Sequence, residues 1–375
     1  MTQKRSQETS ALFATTLSSF MGPFMISSVN VALPAIQKEF SADAVALSWV
    51  ATALLLALAV FLIPMGKIGD IYGRKKVFTW GLGVYTFASL MGTFSISMPM
   101  LISVRVFQGF GAAMFVTTGM AIVTSVFPPK RRGRAIGIYV AAVYIGLSVG
   151  PFIGGFLTQY VGWRSIFALV VPFGMASVWV TLRFLQEEWA DARGEKLDII
   201  GSLLYGGSVF LLVYGASLLP HQLAAYLILT GAAMLALFVR FELRTSQPVF
   251  EVRLFSGNRM FAFSSLAALI SYAATFAITF LLSLYLQYIK GFDPRTAGTI
   301  LVAQPLVMAV FSPVAGRWSD RVEPRLIASA GMALTALGLV LFALFRWIKS
   351  ILASPPARWP QCDYWARWPV WPLPW

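Results

Sequence analysis

Gly66-Lys-Ile-Gly-Asp-Ile-Tyr-Gly-Arg-Lys-Lys76 is a polar, glycine-punctuated stretch set between two long apolar runs, and the chain carries it twice. The second copy reads Gly316-Arg-Trp-Ser-Asp-Arg-Val-Glu-Pro-Arg325, with Gly66 matching Gly316 and Asp70 matching Asp320 at a constant offset of 250 positions. It is the more degraded of the two, with Glu323 where the first has Gly73. Both copies join apolar runs on the same side, which is what a parallel duplication of a helical bundle gives.

The flanking runs decide the solvent. Hydrophobic residues make up 58% of the 375 positions and charged ones 12%, against about 25% charged in soluble chains. A helix crosses the hydrocarbon with roughly 20 apolar residues, because there each backbone N–H and C=O must bond within its own segment. Runs of that length cover 11–34, 44–65, 77–96, 100–127, 135–157, 166–185, 199–219, 222–241, 260–288, 297–315 and 326–345, about eleven spans. The expected fold class is an all-α integral membrane protein.

The formal charge of +14 does not point to nucleic acid, since the basic residues sit in connections between spans rather than on one soluble face. Alternate connections hold 20 of them: Lys4 and Arg5; Lys67 and Arg74 to Lys76; Lys130, Arg131, Arg132 and Arg134; Arg183, Arg193 and Lys196; Arg240, Arg244, Arg253 and Arg259; Arg317, Arg321 and Arg325. The opposite connections hold four, Lys38, Arg164, Lys290 and Arg295. By the positive-inside rule the amino terminus lies in the cytoplasm. The first span is too long for a signal h-region and lacks a small-residue cleavage pattern, so it is expected to be retained. One cysteine, Cys362, and one histidine, His221 in a short outer loop, exclude an internal disulfide, a zinc cluster and a Cys/His catalytic pair. No acid, base or metal set converges within the spans, so neither an enzyme nor a cofactor site is expected.

Three stretches inside the spans carry mechanism. Leu101-Ile-Ser-Val-Arg105-Val-Phe-Gln108-Gly109-Phe-Gly111 buries a guanidinium in an apolar run with Gln108 one turn on. An unpaired charge there costs at least ~2.5 kcal/mol, so Arg105 should face a wet cavity or a partner, unless it snorkels to the outer interface. Gly146-Leu-Ser-Val-Gly150-Pro151-Phe-Ile-Gly154-Gly155 lines glycines four apart on one helix face, a surface for close backbone approach beside a proline bend. That suits a hinge or seal, or plain static packing. Ser27-Ser-Val-Asn30-Val-Ala-Leu-Pro34 closes the first span.

With the Gly66–Lys76 loop, these stretches in order resemble the major facilitator superfamily, and within it the fourteen-helix drug:proton antiporters. The likeness runs from about Val29 to Phe345 and includes Gly162-Trp163-Arg164, Tyr285-Leu-Gln287 with Ala297-Gly298, and the lead from Pro248 to Phe255. The resemblance implies a major facilitator fold: a cytoplasmic lead at 1–10, a six-helix N-terminal bundle at 11–185, linkers with an inserted two-helix hairpin at 186–259, and an incomplete C-terminal bundle at 260–345. It further implies that Gly66, Gly69, Asp70, Gly73 and Arg74, with Asp320 in the second copy, form a conformational latch between bundles. Gly146, Gly150, Pro151, Gly154 and Gly155 match the family's antiport motif. Two positions depart from the branch: Met25 stands where an intramembrane aspartate is usual, and Leu54 where a tyrosine is usual. The missing acid is the expected proton-binding partner of Arg105.

Residues 346–375 change character, with Trp347, Trp359, Trp365, Trp368, Trp371 and Trp375 interleaved with six prolines, a density that rules out a continuous helix. They read either as an interfacial tail or as out-of-frame sequence replacing further helices, the chain then being a truncated relative about three spans short of fourteen. The expected function is export of small amphipathic compounds by alternating access, with a proton as coupling ion, the bilayer as solvent and no nucleic-acid partner. The expected cavity takes its polar set from Asn30, Arg105, Gln108, Gln287 and Gln304. An organic-anion or metabolite carrier using Arg105, and an inactive truncated transporter, are the alternatives.

Overall fold

The computed structural model describes residues 2–292 and 294–352. Among them no strand occurs, and the order is α1 (Thr2–Phe40), α2 (Ala44–Tyr72), α3 (Arg74–Thr93), α4 (Met98–Val126), α5 (Pro129–Tyr160), α6 (Arg164–Phe184), α7 (Ile199–Ser217), α8 (Gln222–Glu242), α9 (Arg253–Gly257), α10 (Arg259–Leu284), α11 (Pro294–Ser319) and α12 (Pro324–Leu352). A single π-helical turn, Tyr285–Ile289, continues α10. Residues up to Glu323 form one compact unit, and Pro324 begins another.

Helix starts follow side-chain chemistry. The Asp43, Ser97, Asp198 and Asn258 side chains accept N–H bonds at the first turns of α2, α4, α7 and α10, filling acceptor positions that a helix N-terminus otherwise leaves open. Between α2 and α3 the chain turns on one residue, Gly73, whose φ of +116° a side chain would resist. That is the glycine which the second copy of the repeat lacks.

Ten helices among the described residues are long and apolar enough to cross a membrane. The sequence suggested about eleven. The difference is α3, which opens on Arg74, Lys75 and Lys76 and carries Gly81, Gly83, Ser89, Gly92 and Thr93, so its side chains add little hydropathy. Those small residues instead let α3 lie against α4, where Gly81 and Gly111 bring the two backbones together.

Within the first unit, α1 packs on α4, α5 and α6, and α4 packs on α2 and α3. Phe24, Phe78, Tyr85, Phe115 and Phe167 fill the interior between them. Large apolar side chains also point outward, Trp80 at 70% exposure and Leu269 at 65%, a surface that water penalises and lipid accepts. The α7–α8 pair docks on the bundle through α2: the Tyr205 hydroxyl donates to the Ala59 carbonyl at 3.0 Å, and the Trp49 and Tyr214 rings meet at 5.7 Å.

The lead at residues 1–10 belongs to α1, which is helical from Thr2, and buried Glu8 in it pairs with Arg131 on α5 at 2.9 Å. One boundary is corrected. The non-helical tail expected from residue 346 does not begin there, since α12 runs through Leu352, before the first of the expected breakers, Pro355. Residues 353–375, with the tail's prolines and all its tryptophans after Trp347, lie outside the described residues.

Candidate functional site

The two copies of the repeated loop lie at the end of the first unit that carries the basic connections, and they are engaged differently. In the first, Arg74 holds Asp70 with Nε at 2.9 Å, donates from Nη1 to the Ser125 hydroxyl at 2.8 Å, and reaches Asp191 at 2.6 Å. The linker after α6 closes over this corner. Glu188 accepts from the Lys75 N–H at 2.8 Å, the Trp189 carbonyl accepts from Arg74 N–H at 2.8 Å, and the Asp70 carbonyl accepts from Ala192 N–H at 2.9 Å. Gly69 is packed against Thr118 on α4, and Gly66 faces Thr117 more loosely. Every partner of Asp70 and Arg74 described here therefore belongs to α2, α3, α4 or the linker that follows α6.

The second copy reaches across. Asp320, just past the end of α11, accepts from the backbone N–H groups of Gly133 at 2.6 Å and Arg134 at 2.9 Å, in the first turns of α5. They are the fifth and sixth residues of α5, near the helix end whose dipole favours an anion. Gly316 and Gly133 bring the two backbones into contact, and Gly137 continues the seam against Ser312 and Pro313. A pocket of about 390 Å³ opens here, in which Asp320 faces Lys130, Arg131, Arg134, Arg317 and Arg321. Sequence reasoning missed Gly133 and Gly137, although their spacing of four is the signal it used for Gly146 and Gly150.

The glycine face of α5 meets α1. The Ser27 hydroxyl donates to the Gly146 carbonyl at 3.2 Å, Ser28 to the Gly150 carbonyl at 2.9 Å, and Ser19 to the Tyr139 carbonyl at 3.0 Å. A Cβ at Gly146, Gly150 or Gly154 would strike α1, whereas one at Gly155 would make an ordinary 3.6 Å contact with Val31. Pro151 lies inside α5 beside this seam. Ser27 and Ser28 stand in a stretch quoted from the sequence, which gave no sign that α5 is their partner.

Arg105 is fully buried within the bundle: Nε donates to the Val50 carbonyl at 2.9 Å and Nη1 to Gln108 Oε1 at 3.0 Å. Gln108, also fully buried, passes the chain on to the Ser89 hydroxyl at 2.9 Å, which donates to the Tyr85 carbonyl at 2.7 Å. Nη2 meets no partner, and among the described residues no ion pair reaches the guanidinium. Met25, where the acid was expected, is part of the apolar core. The remaining polar candidates are apart from this chain of bonds: Asn30 is exposed on α1, and exposed Gln304 on α11 accepts from Thr279 on α10 at 3.2 Å. The side chain of Gln287 lies outside the described residues.

The family model described as Major Facilitator Superfamily matches this chain over residues 15–268 and again over 264–357. The chain belongs to the Major Facilitator Superfamily. This major facilitator is 32% identical over 327 residues to the riboflavin transporter RibZ of Clostridioides difficile (strain 630), across 87% of this chain and 71% of RibZ. It is 32% identical over 347 residues to the multidrug resistance protein Stp of Mycobacterium tuberculosis (strain CDC 1551 / Oshkosh), across 91% of this chain and 64% of Stp. The chain thus spans about two thirds of the length of such curated relatives. Its fold matches the proton:xylose symporter XylE with a TM-score of 0.57 at 11% identity, over 85% of this chain and 70% of XylE. As a major facilitator it is a multi-pass membrane transporter.

Proposed function

We propose that this transporter exports small amphipathic compounds by alternating access, with proton antiport, and that its basic end faces the cytoplasm. The observation that carries the reading is the Asp320 bond to the start of α5: it ties the second copy of the repeat to the first half at the basic end. A carrier that opens alternately needs a breakable tie of this kind at each gate. Stp and RibZ, a multidrug resistance protein and a riboflavin transporter by name, support a substrate that is small and partly apolar. Asn30 and Gln304, with Gln287, remain the candidate polar contacts for it, and the α7–α8 hairpin supports a place in the fourteen-helix branch.

Arg105 and Gln108 take a different part in this reading. Sealed between α2, α3 and α4, they join helices rather than touch substrate in this state. An anion carrier has one observation in its favour, the unpartnered Nη2 of Arg105. The test is transport in inverted vesicles with an acidified lumen, using ethidium and riboflavin as probes. Export predicts accumulation of at least one probe that collapses when the proton gradient is dissipated. Accumulation unaffected by the gradient sinks the antiport, and uptake of small organic anions alone, abolished by Arg105→Gln, selects the other reading.

A further inference from the structure

The α7–α8 hairpin holds a pair of buried carboxyls that neither the repeat nor the glycine seam uses. Asp198 caps α7, its Oδ1 accepting from the Gly201 N–H at 2.8 Å. Glu242, the last residue of α8, folds over the same glycine and is 2% exposed. A Cβ at Gly201 would strike both Glu242 Oε1 and Asp198 Oδ2, so the two carboxyl groups share the space that the missing side chain leaves free. Asp198 Oδ2 and both Glu242 oxygens are buried without a hydrogen-bond partner. One turn farther along the hairpin the Tyr205 and Phe238 rings meet at 5.7 Å and close that side with apolar surface.

Few charges compensate them. Lys67, from the end of α2, lies close enough to act on Glu242, but its ammonium is already paired with Glu195 of the linker at 2.6 Å. The Val249 and Phe250 N–H groups turn toward Glu242 without reaching hydrogen-bonding geometry. Together these favour one negative charge at the site. Two carboxylates side by side, out of water, hold a second charge only at a large cost, which a bound cation removes. Three orphaned oxygens are too few for calcium, which takes six to eight, and the site offers no room for the waters magnesium keeps. A proton needs only two oxygens.

We propose that Asp198 and Glu242 form a binding site for one proton, shared between the two carboxyls, and that its occupancy sets how firmly the α7–α8 hairpin is held against α2. The proton comes from the aqueous compartment at the basic end and returns to it, and no bond other than O–H forms or breaks. The inference is independent of what is transported. Separated carboxyls of an unfolded chain release their protons by about pH 5, whereas the folded pair keeps one, so folding takes up a proton and stability falls as pH rises.

Two variants test this on the full chain in nanodiscs. Glu242→Gln removes the titrating group; Asp198→Asn does the same while keeping a side chain that caps α7. At neutral pH the infrared spectrum of the unaltered protein is expected to contain a protonated-carboxyl C=O band that both variants lose. Its thermal midpoint is expected to fall between about pH 5 and pH 8, and both variants are expected to show a flatter profile. A band and a pH profile unchanged in both variants overturn the proposal. A saturable rise in midpoint with sodium or calcium at fixed pH, lost in Glu242→Gln, overturns it too, because it assigns a metal cation to the site.

Discussion

Asp320 Oδ1 lies 2.6 Å from the backbone nitrogen of Gly133 and accepts its hydrogen, so the second copy of the repeated loop holds the second turn of α5. Asp70, its counterpart in the first copy, binds Arg74 within its own half. The same glycine-and-aspartate pattern therefore does two jobs. One copy fixes a corner of the first bundle together with the linker after α6, and the other ties α11 to α5.

Replacing Asp320 should loosen that tie. Asp320→Asn loses an anion that accepts two backbone N–H groups, and it leaves Lys130, Arg131, Arg134, Arg317 and Arg321 facing one another across the pocket. Charge-assisted bonds of this kind are worth about 1–3 kcal/mol, a roughly 5- to 150-fold change in the closed population. Amide hydrogen exchange at Gly133 and Arg134 reads it directly and should accelerate by that factor. Unchanged exchange at both amides would show that the carboxylate bonds do not hold the gate.

Asp70→Asn should act elsewhere. Arg74 keeps Asp191 and Ser125, and Asp70 is itself partly exposed, so the loss is small, about 1 kcal/mol or less. It falls on the linker that Arg74 and the Asp70 carbonyl hold down. Trypsin cleavage at Arg193 and Lys196 is expected to rise about two- to fivefold, with no change in exchange at Gly133. A variant that sped exchange at Gly133 as well would mean that the two copies work as one latch.

How far the sequence carried the reading depends on the kind of signal. Helical class and most spans were legible because apolar length is a property of local sequence, which lipid forces on the backbone. The glycines of α5 were legible as a packing face for the same reason, since their spacing is local too. Which helix they meet was not, because Ser27 and Ser28 on α1 carry no mark of being its partner. Arg105 shows the limit more sharply. A charge in an apolar run signals a partner or a cavity, and the sequence left that choice open; the structure supplies neutral acceptors, the Val50 carbonyl and Gln108, and packs them out of water. Asp320 was marked by the repeat as the counterpart of Asp70, but its partner, a pair of backbone N–H groups, has no side-chain signature at all.

The glycine seam predicts a contrast between neighbours. Gly150→Ala places a methyl into Ser27 and the Phe24 carbonyl of α1, whereas Gly155→Ala meets only Val31 at 3.6 Å. Forcing a methyl into a packed backbone crossing costs about 1–3 kcal/mol, and an ordinary contact costs close to nothing. The thermal midpoint of the detergent-solubilised protein should drop for Gly150→Ala and stay within error for Gly155→Ala. Equal midpoints would mean that α1 and α5 slide apart freely enough to absorb the methyl, and the seam would then be a moving joint rather than a fixed one.

Arg105 separates stability from transport. Its guanidinium is buried with two neutral acceptors and an unpartnered Nη2, so in this state desolvation is only partly compensated. Replacing such a group by an apolar side chain of similar length is often neutral or stabilising, by up to about 4 kcal/mol. Arg105→Met should therefore leave the thermal midpoint unchanged or raised. Transport should still fail if Nη2 is to find, in another state of the cycle, the partner it lacks here. Arg105→Lys should fail as well, since a point charge cannot bond Val50 and Gln108 in the same planar geometry. If Arg105→Met instead lowers the midpoint by several degrees while the surviving folded protein transports normally, the guanidinium is a structural brace between α2 and α4, and its role in coupling has to be abandoned.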